Sequence, residues 1–131
     1  MRAARIRDAF AAAFTPLGVS ASVYYAGKAF LTIEVARWMA ELGLGIDVCS
    51  GGELAVVEAA GVDPARVGMH GNNKSLVEIE RAVAAGVGTI VLDSRVEVER
   101  VADAAARLGR VQNVRLRINS GVHASTHEYL A

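Results

Sequence analysis

Cysteine is almost absent from the chain. Cys49 is the only one in 131 residues, so no internal disulfide is possible and nothing points to an oxidising compartment. An excess of either charge is also missing: Lys+Arg and Asp+Glu both count 14. With no basic stripe, neither nucleic acid nor an anionic membrane is an expected partner. No apolar run approaches the roughly 18 residues that a membrane helix needs. The basic, Ala-rich start from Met1 to Phe14 has no serine and is interrupted by Asp8. It reads as an amphipathic helix with Ile6, Phe10 and Ala13 on one side, not as a transit peptide. The chain is expected to be soluble and cytoplasmic.

What is present is core-forming. Hydrophobic residues make up 53% and charged residues 21%, enough to bury one core and too short a chain for two. Short β-rich runs fall at Ser22–Ala26, Ile46–Cys49, Val67–His70, Thr89–Leu92 and Val114–Ile118. Helical spacing separates them. Leu31, Val35, Trp38, Met39 and Leu42 share one expected face, as do Leu76, Ile79 and Val83, and Val98, Val101, Ala105 and Leu108. Trp38 and Met39 are expected to pack, not to form a stacking platform.

The punctuation agrees. Gly43, Gly61, Gly86 and Gly109 each follow a helical run, where a left-handed residue is wanted. Ser50 with Glu53, Ser75 with Glu78 and Ser94 with Glu97 each have the spacing of a capping box. Strands alternating with helices at this interval give right-handed crossovers and a parallel sheet. Periodicity alone leaves two closures open, a doubly wound sheet and a β/α barrel. No linker or low-complexity segment divides the chain.

In either closure the chemistry lies beyond the C-terminal strand ends, and polar residues collect there. Strand one leads to Lys28, strand two carries Asp47, and strand three reaches His70, Asn72, Asn73 and Lys74. Strand four ends at Asp93 and Ser94, and strand five offers Arg117 and Asn119. Strand alternation puts Lys28 on the same side as Ala26 and Tyr24. An ammonium at a largely buried strand end is costly unless it is paired or neutral, and a neutral amine is what attack on a carbonyl requires. The other reading, a lysine whose stem packs on the sheet while its head reaches water, has equal standing from position alone. Cys49 reads as a small buried residue and not as a reactive thiol.

The segment Tyr24-Tyr25-Ala26-Gly27-Lys28-Ala29 resembles the Y-A-x-K-A motif of the fold-type III pyridoxal-phosphate decarboxylases. Ile46-Asp47-Val48-Cys49-Ser50-Gly51-Gly52-Glu53-Leu54 is similar to that family's D-V-x-S-x-G-E-L segment. His70-Gly71-Asn72-Asn73-Lys74-Ser75, Arg117-Ile118-Asn119-Ser120-Gly121-Val122 and Thr126-His127-Glu128-Tyr129 resemble its diaminopimelate decarboxylase branch. Phe30 and Ser120 depart from the pattern, standing where relatives carry asparagine and proline.

The resemblance implies a partial (β/α)8 TIM-type barrel of the alanine-racemase-like kind, with about five β/α units in residues 1–131. It implies pyridoxal phosphate as cofactor, held as a Schiff base by Lys28, with Ala26, Asp47, His70 and Arg117 in the cofactor pocket and His127 near the site. The reaction implied is decarboxylation of meso-diaminopimelate to L-lysine, in a homodimer whose ligand is a small amino acid. Related decarboxylases acting on ornithine, arginine or carboxynorspermidine are the alternatives, and so is a truncated, non-catalytic product. Family members continue into a glycine-rich phosphate loop and a β domain. The 131 residues alone are therefore expected to be inactive, with open sheet edges.

Overall fold

Each glycine that follows a helical run in the sequence ends a helix in the same way. In a computed structural model that describes residues 2–118 and 121, Gly43, Gly61, Gly86 and Gly109 all have φ between 61° and 79°. The next residue's N–H then reaches back five residues: Leu44 to Met39, Val62 to Val57, Val87 to Ala82, and Arg110 to Ala105. This closes the last helical carbonyls. Leu44, Val62 and Val87 are buried as they leave the helix, whereas Arg110 is exposed. Three of the four exits therefore feed the core, and the fourth marks its margin.

The elements run α1 (Arg2–Phe14), β1 (Tyr24–Ala26), α2 (Ile33–Glu41), β2 (Gly45–Val48), α3 (Gly51–Ala59), β3 (Val67–Met69), α4 (Leu76–Ala85), β4 (Thr89–Leu92), α5 (Arg95–Arg107) and β5 (Val114–Leu116). The five strands form one sheet in the order β1-β2-β3-β4-β5, every pair parallel. A doubly wound sheet reverses its strand order at a switch point; here each new strand is added on the same side. The architecture is that of a partial β/α barrel.

Register divides the sheet into two faces. Tyr25, Ile46 and Val67 lie in line across it, with Val48, Met69 and Ile90 in a second line beyond them, and all join the core against the helices. Ile46, Val48, Met69 and Ile90 are completely buried, each worth about 1.5–3 kcal/mol. The alternate residues, Ala26, Asp47, Gly68 and Thr89, line up on the other face.

Several expectations about packing need correction. Trp38 is 49% exposed, because Ala36 and Met39 define the buried side of α2 and Trp38 falls outside it. Leu76, Val98 and Leu108 are exposed for the same reason, while Ile79, Val83 and Val101 are buried. Helix α1 forms but buries none of its residues; Ile6 and Phe10 stay exposed and only Ala3 touches the core. Arg7 anchors it by donating to the Leu42 carbonyl, as Arg66 donates to that of Gly43. Cations thus close the C-terminal end of α2.

A candidate cofactor pocket at the strand ends

Beyond Ala26 the extended chain stops. Gly27–Ala29 forms a 3-10 turn, with Gly27 buried and Lys28 exposed. Strand alternation therefore does not reach Lys28, and its exposure agrees with the reading in which the lysine head reaches water. The turn is close to β2 because residue 27 has no side chain: a Cβ there would lie 2.9 Å from the Asp47 carbonyl oxygen and 3.1 Å from Leu31. Gly27 is a site-shaping residue that sequence reading missed. Its signal was a glycine directly before the rim lysine.

On the neighbouring strands Asp47 Oδ1 lies 3.2 Å from His70 Nε2. Both side chains are about 30% exposed, at 29% and 30% respectively. The carboxylate crosses β3 over Gly68, where any Cβ would collide with it. Ala26 is the register partner of Asp47, so Ala26, Asp47 and His70 occupy adjoining positions of the open face.

Cys49 lies at the centre of the rim's charges. It is exposed, which corrects the expectation of a buried residue. Enough protein still surrounds the sulfur for burial to be the main influence raising its pKa, with Glu53 and Asp47 adding to the rise. Lys28 and Arg117 act in the opposite direction. Among the described rim residues, Asn72, Asn73 and Ser94 are exposed; Asn119 and the Thr126–Tyr129 segment with His127 lie outside the described residues.

Only one of the three expected capping boxes closes. Ser75 accepts from Glu78 N–H, and Glu78 accepts from Ser75 N–H. Ser50 and Ser94 do cap α3 and α5, but their glutamates go elsewhere. Glu53 accepts from Cys49 N–H at 2.6 Å. Glu97 accepts from Asp93 N–H at 2.9 Å and from Lys74 N–H at 3.2 Å, and it pairs with the Lys74 ammonium at 3.0 Å. Burial pushes the Glu97 carboxyl up, but these donors outweigh it and hold the group below the usual carboxylate range. Lys74, read from sequence only as one more polar rim residue, is buried beneath the rim.

The profile of the family described as pyridoxal-dependent decarboxylase, pyridoxal binding domain, matches residues 3–131. The chain is 54% identical over 121 residues to a diaminopimelate decarboxylase of Mycobacterium leprae, covering 92% of this chain and 25% of that protein. It thus spans about a quarter of that relative's length. Among solved structures it is similar to diaminopimelate decarboxylase from M. jannaschii in co-complex with L-lysine: TM-score 0.79, 32% identity, 96% of this chain and 30% of that one. A lysine decarboxylase from Selenomonas ruminantium is similar at TM-score 0.71 and 26% identity, over 94% of this chain and 32% of its own. Family profile, sequence and fold agree: the chain belongs to the pyridoxal-dependent decarboxylases and lies in their pyridoxal binding domain.

Proposed function

We propose that the protein carrying this domain removes CO₂ from the D-configured centre of meso-diaminopimelate and releases L-lysine. The observation that carries this reading is the 54% identity to a diaminopimelate decarboxylase across 92% of the chain; among solved structures the diaminopimelate decarboxylase is 32% identical and the lysine decarboxylase 26%. The reading includes a cytoplasmic homodimer, as the family resemblance implies.

The open face fits pyridoxal phosphate in its chemistry. An aromatic aldehyde with an anionic phosphate needs an accessible amine, a low floor and positive charge. Lys28 is an exposed amine, Gly45 and Gly68 let the Tyr24 ring and the Asp47 carboxylate lie close against the sheet, and Arg117 is half-exposed at the edge. When bound, the cofactor supplies an electron sink for the carbanion left by CO₂.

The residues of this chain supply attachment and orientation. Lys28 Nζ, once it has given up a proton, offers the lone pair that holds the aldehyde carbon. Ala26, on the same face, leaves space with its short side chain. Asp47 holds His70 through their 3.2 Å contact and so fixes the imidazole ring at the pocket floor. Arg117 brings a permanent positive charge to the rim.

Borohydride reduction of the full-length holoprotein followed by peptide mapping tests the attachment. The label is expected on Lys28, and a label on Lys74 would overturn the assignment. Turnover of meso-diaminopimelate, compared with ornithine, arginine and lysine, tests the substrate. A preference for any of the other three would replace this reading with the rival one.

A further inference from the structure

Lys74, Asp93 and Glu97 form a charge cluster under the rim with side-chain exposures of 1%, 8% and 3%. Burying three ionised groups is expensive unless they are matched, so a specific arrangement calls for a reason. Counting donors provides one.

The Lys74 ammonium has three hydrogens. It lies 2.5 Å from the Gly71 carbonyl, 2.6 Å from the Val91 carbonyl and 3.0 Å from Glu97 Oε2. These use all three. Asp93 Oδ2 lies 3.6 Å from the same nitrogen, too far for a hydrogen bond. Both Asp93 oxygens are buried without a hydrogen-bond partner, leaving one buried negative charge that Lys74 does not balance. The compensating cation is Arg117, whose Nε lies 2.9 Å from Asp93 Oδ1 as an ion pair lacking hydrogen-bond alignment. Arg117 N–H also bonds to the Leu92 carbonyl at 2.9 Å, so backbone and side chain are tied to consecutive residues of the neighbouring strand end. With Nε against Asp93, the guanidinium stays half-exposed at the strand end.

We propose that Asp93 is a positioning residue: it orients the Arg117 guanidinium on the cofactor rim, and Lys74 with Glu97 fixes Asp93 from below. This rests on the reading of Arg117 as a cofactor-pocket residue.

The test is a double-mutant cycle on cofactor affinity in the full-length protein. Asp93→Asn, Arg117→Ala and the double variant are titrated with pyridoxal phosphate and their thermal midpoints measured. Asp93→Asn is expected to weaken binding about 10-fold when Arg117 is present and less than about 2-fold when it is absent, the non-additivity of groups that act together. Equal factors in the two backgrounds, or no weakening at all, would overturn the positioning role. If Arg117→Ala itself leaves affinity unchanged, it is the pocket assignment of Arg117 that fails. Should Asp93→Asn not fold, Asp93→Glu is carried through the same cycle. Weakening by about 10-fold with Arg117 present and less than about 2-fold without it is expected, and equal factors in the two backgrounds would sink the proposal.

Discussion

The two faces of the sheet are built from the same strands and share almost nothing else. Toward the helices stand Tyr25, Ile46, Val48, Val67, Met69, Ile90 and Leu92, joined in one apolar core. Toward the other side stand Tyr24, Ala26, Gly45, Asp47, Gly68 and Thr89, the alternate residues in register, with His70 just beyond β3. Strand alternation lets one backbone carry stability on one face and chemistry on the other. A residue's parity, more than its type, then tells which property a substitution will disturb.

Lys28→Ala should separate the two most widely. In the full-length holoprotein it is expected to lower decarboxylation by at least about 1000-fold, roughly 4 kcal/mol in the barrier. Because Lys28 is exposed, the stability of the cofactor-free protein should stay within about 0.5 kcal/mol. Ile46→Ala, on the covered face, should do the reverse. Ile46 is completely buried, so a loss of about 2–5 kcal/mol is expected in urea unfolding, with unchanged turnover per folded molecule. If Lys28→Ala unfolds the protein, or Ile46→Ala abolishes chemistry without loosening it, the division by faces is wrong.

Gly27→Ala is a smaller and sharper test, since it touches no reacting atom. The added methyl would press on the Asp47 carbonyl at 2.9 Å and move the turn that carries Lys28. A 10- to 100-fold fall in turnover is expected, the scale of an ångström's misplacement, with about 1–3 kcal/mol of stability lost to overpacking. Wild-type kinetics would mean that the turn tolerates displacement and that Gly27 serves the backbone only.

The covered face was largely legible in the sequence because alternation and helix-ending glycines are local signals. The strand expectations overlap every observed strand, and Gly43, Gly61, Gly86 and Gly109 end helices as expected. The family was legible as well, from motifs on the open face. What stayed hidden depended on contacts between distant segments. Glu53, Glu78 and Glu97 share one spacing after serine, yet only Glu78 closes its box. Glu97 is claimed by Lys74, 23 residues away, and no local pattern shows that. Which way Lys28 faces was not legible, because a three-residue 3-10 turn interrupts alternation without leaving a period of its own. Trp38 was misplaced because a face drawn through five apolar positions is wider than the strip that α2 buries around Ala36 and Met39.

Glu78 joins the starts of α3 and α4 and gives the smallest expected effect. One carboxylate oxygen accepts from Gly51 N–H at 2.9 Å, at the start of α3; the other accepts from Ser75 N–H and Oγ, both at 2.9 Å, at the start of α4. The backbone donor of Ser75, then that of Gly51, holds this carboxyl below its usual range, and two helix N-termini favour its negative charge. A carboxyl whose pKa is lower folded than unfolded stabilises fully above the unfolded value, about 4.3 for glutamate. That contribution disappears as the pH falls through the folded value. Glu78→Gln should therefore cost about 1 kcal/mol in urea unfolding at pH 7, the usual scale of a lost cap. The gap between variant and parent should hold above the unfolded value and close as the pH falls through the folded one. A gap that keeps its size in acid would mean that shape, not charge, is what Glu78 contributes at the junction of α3 and α4.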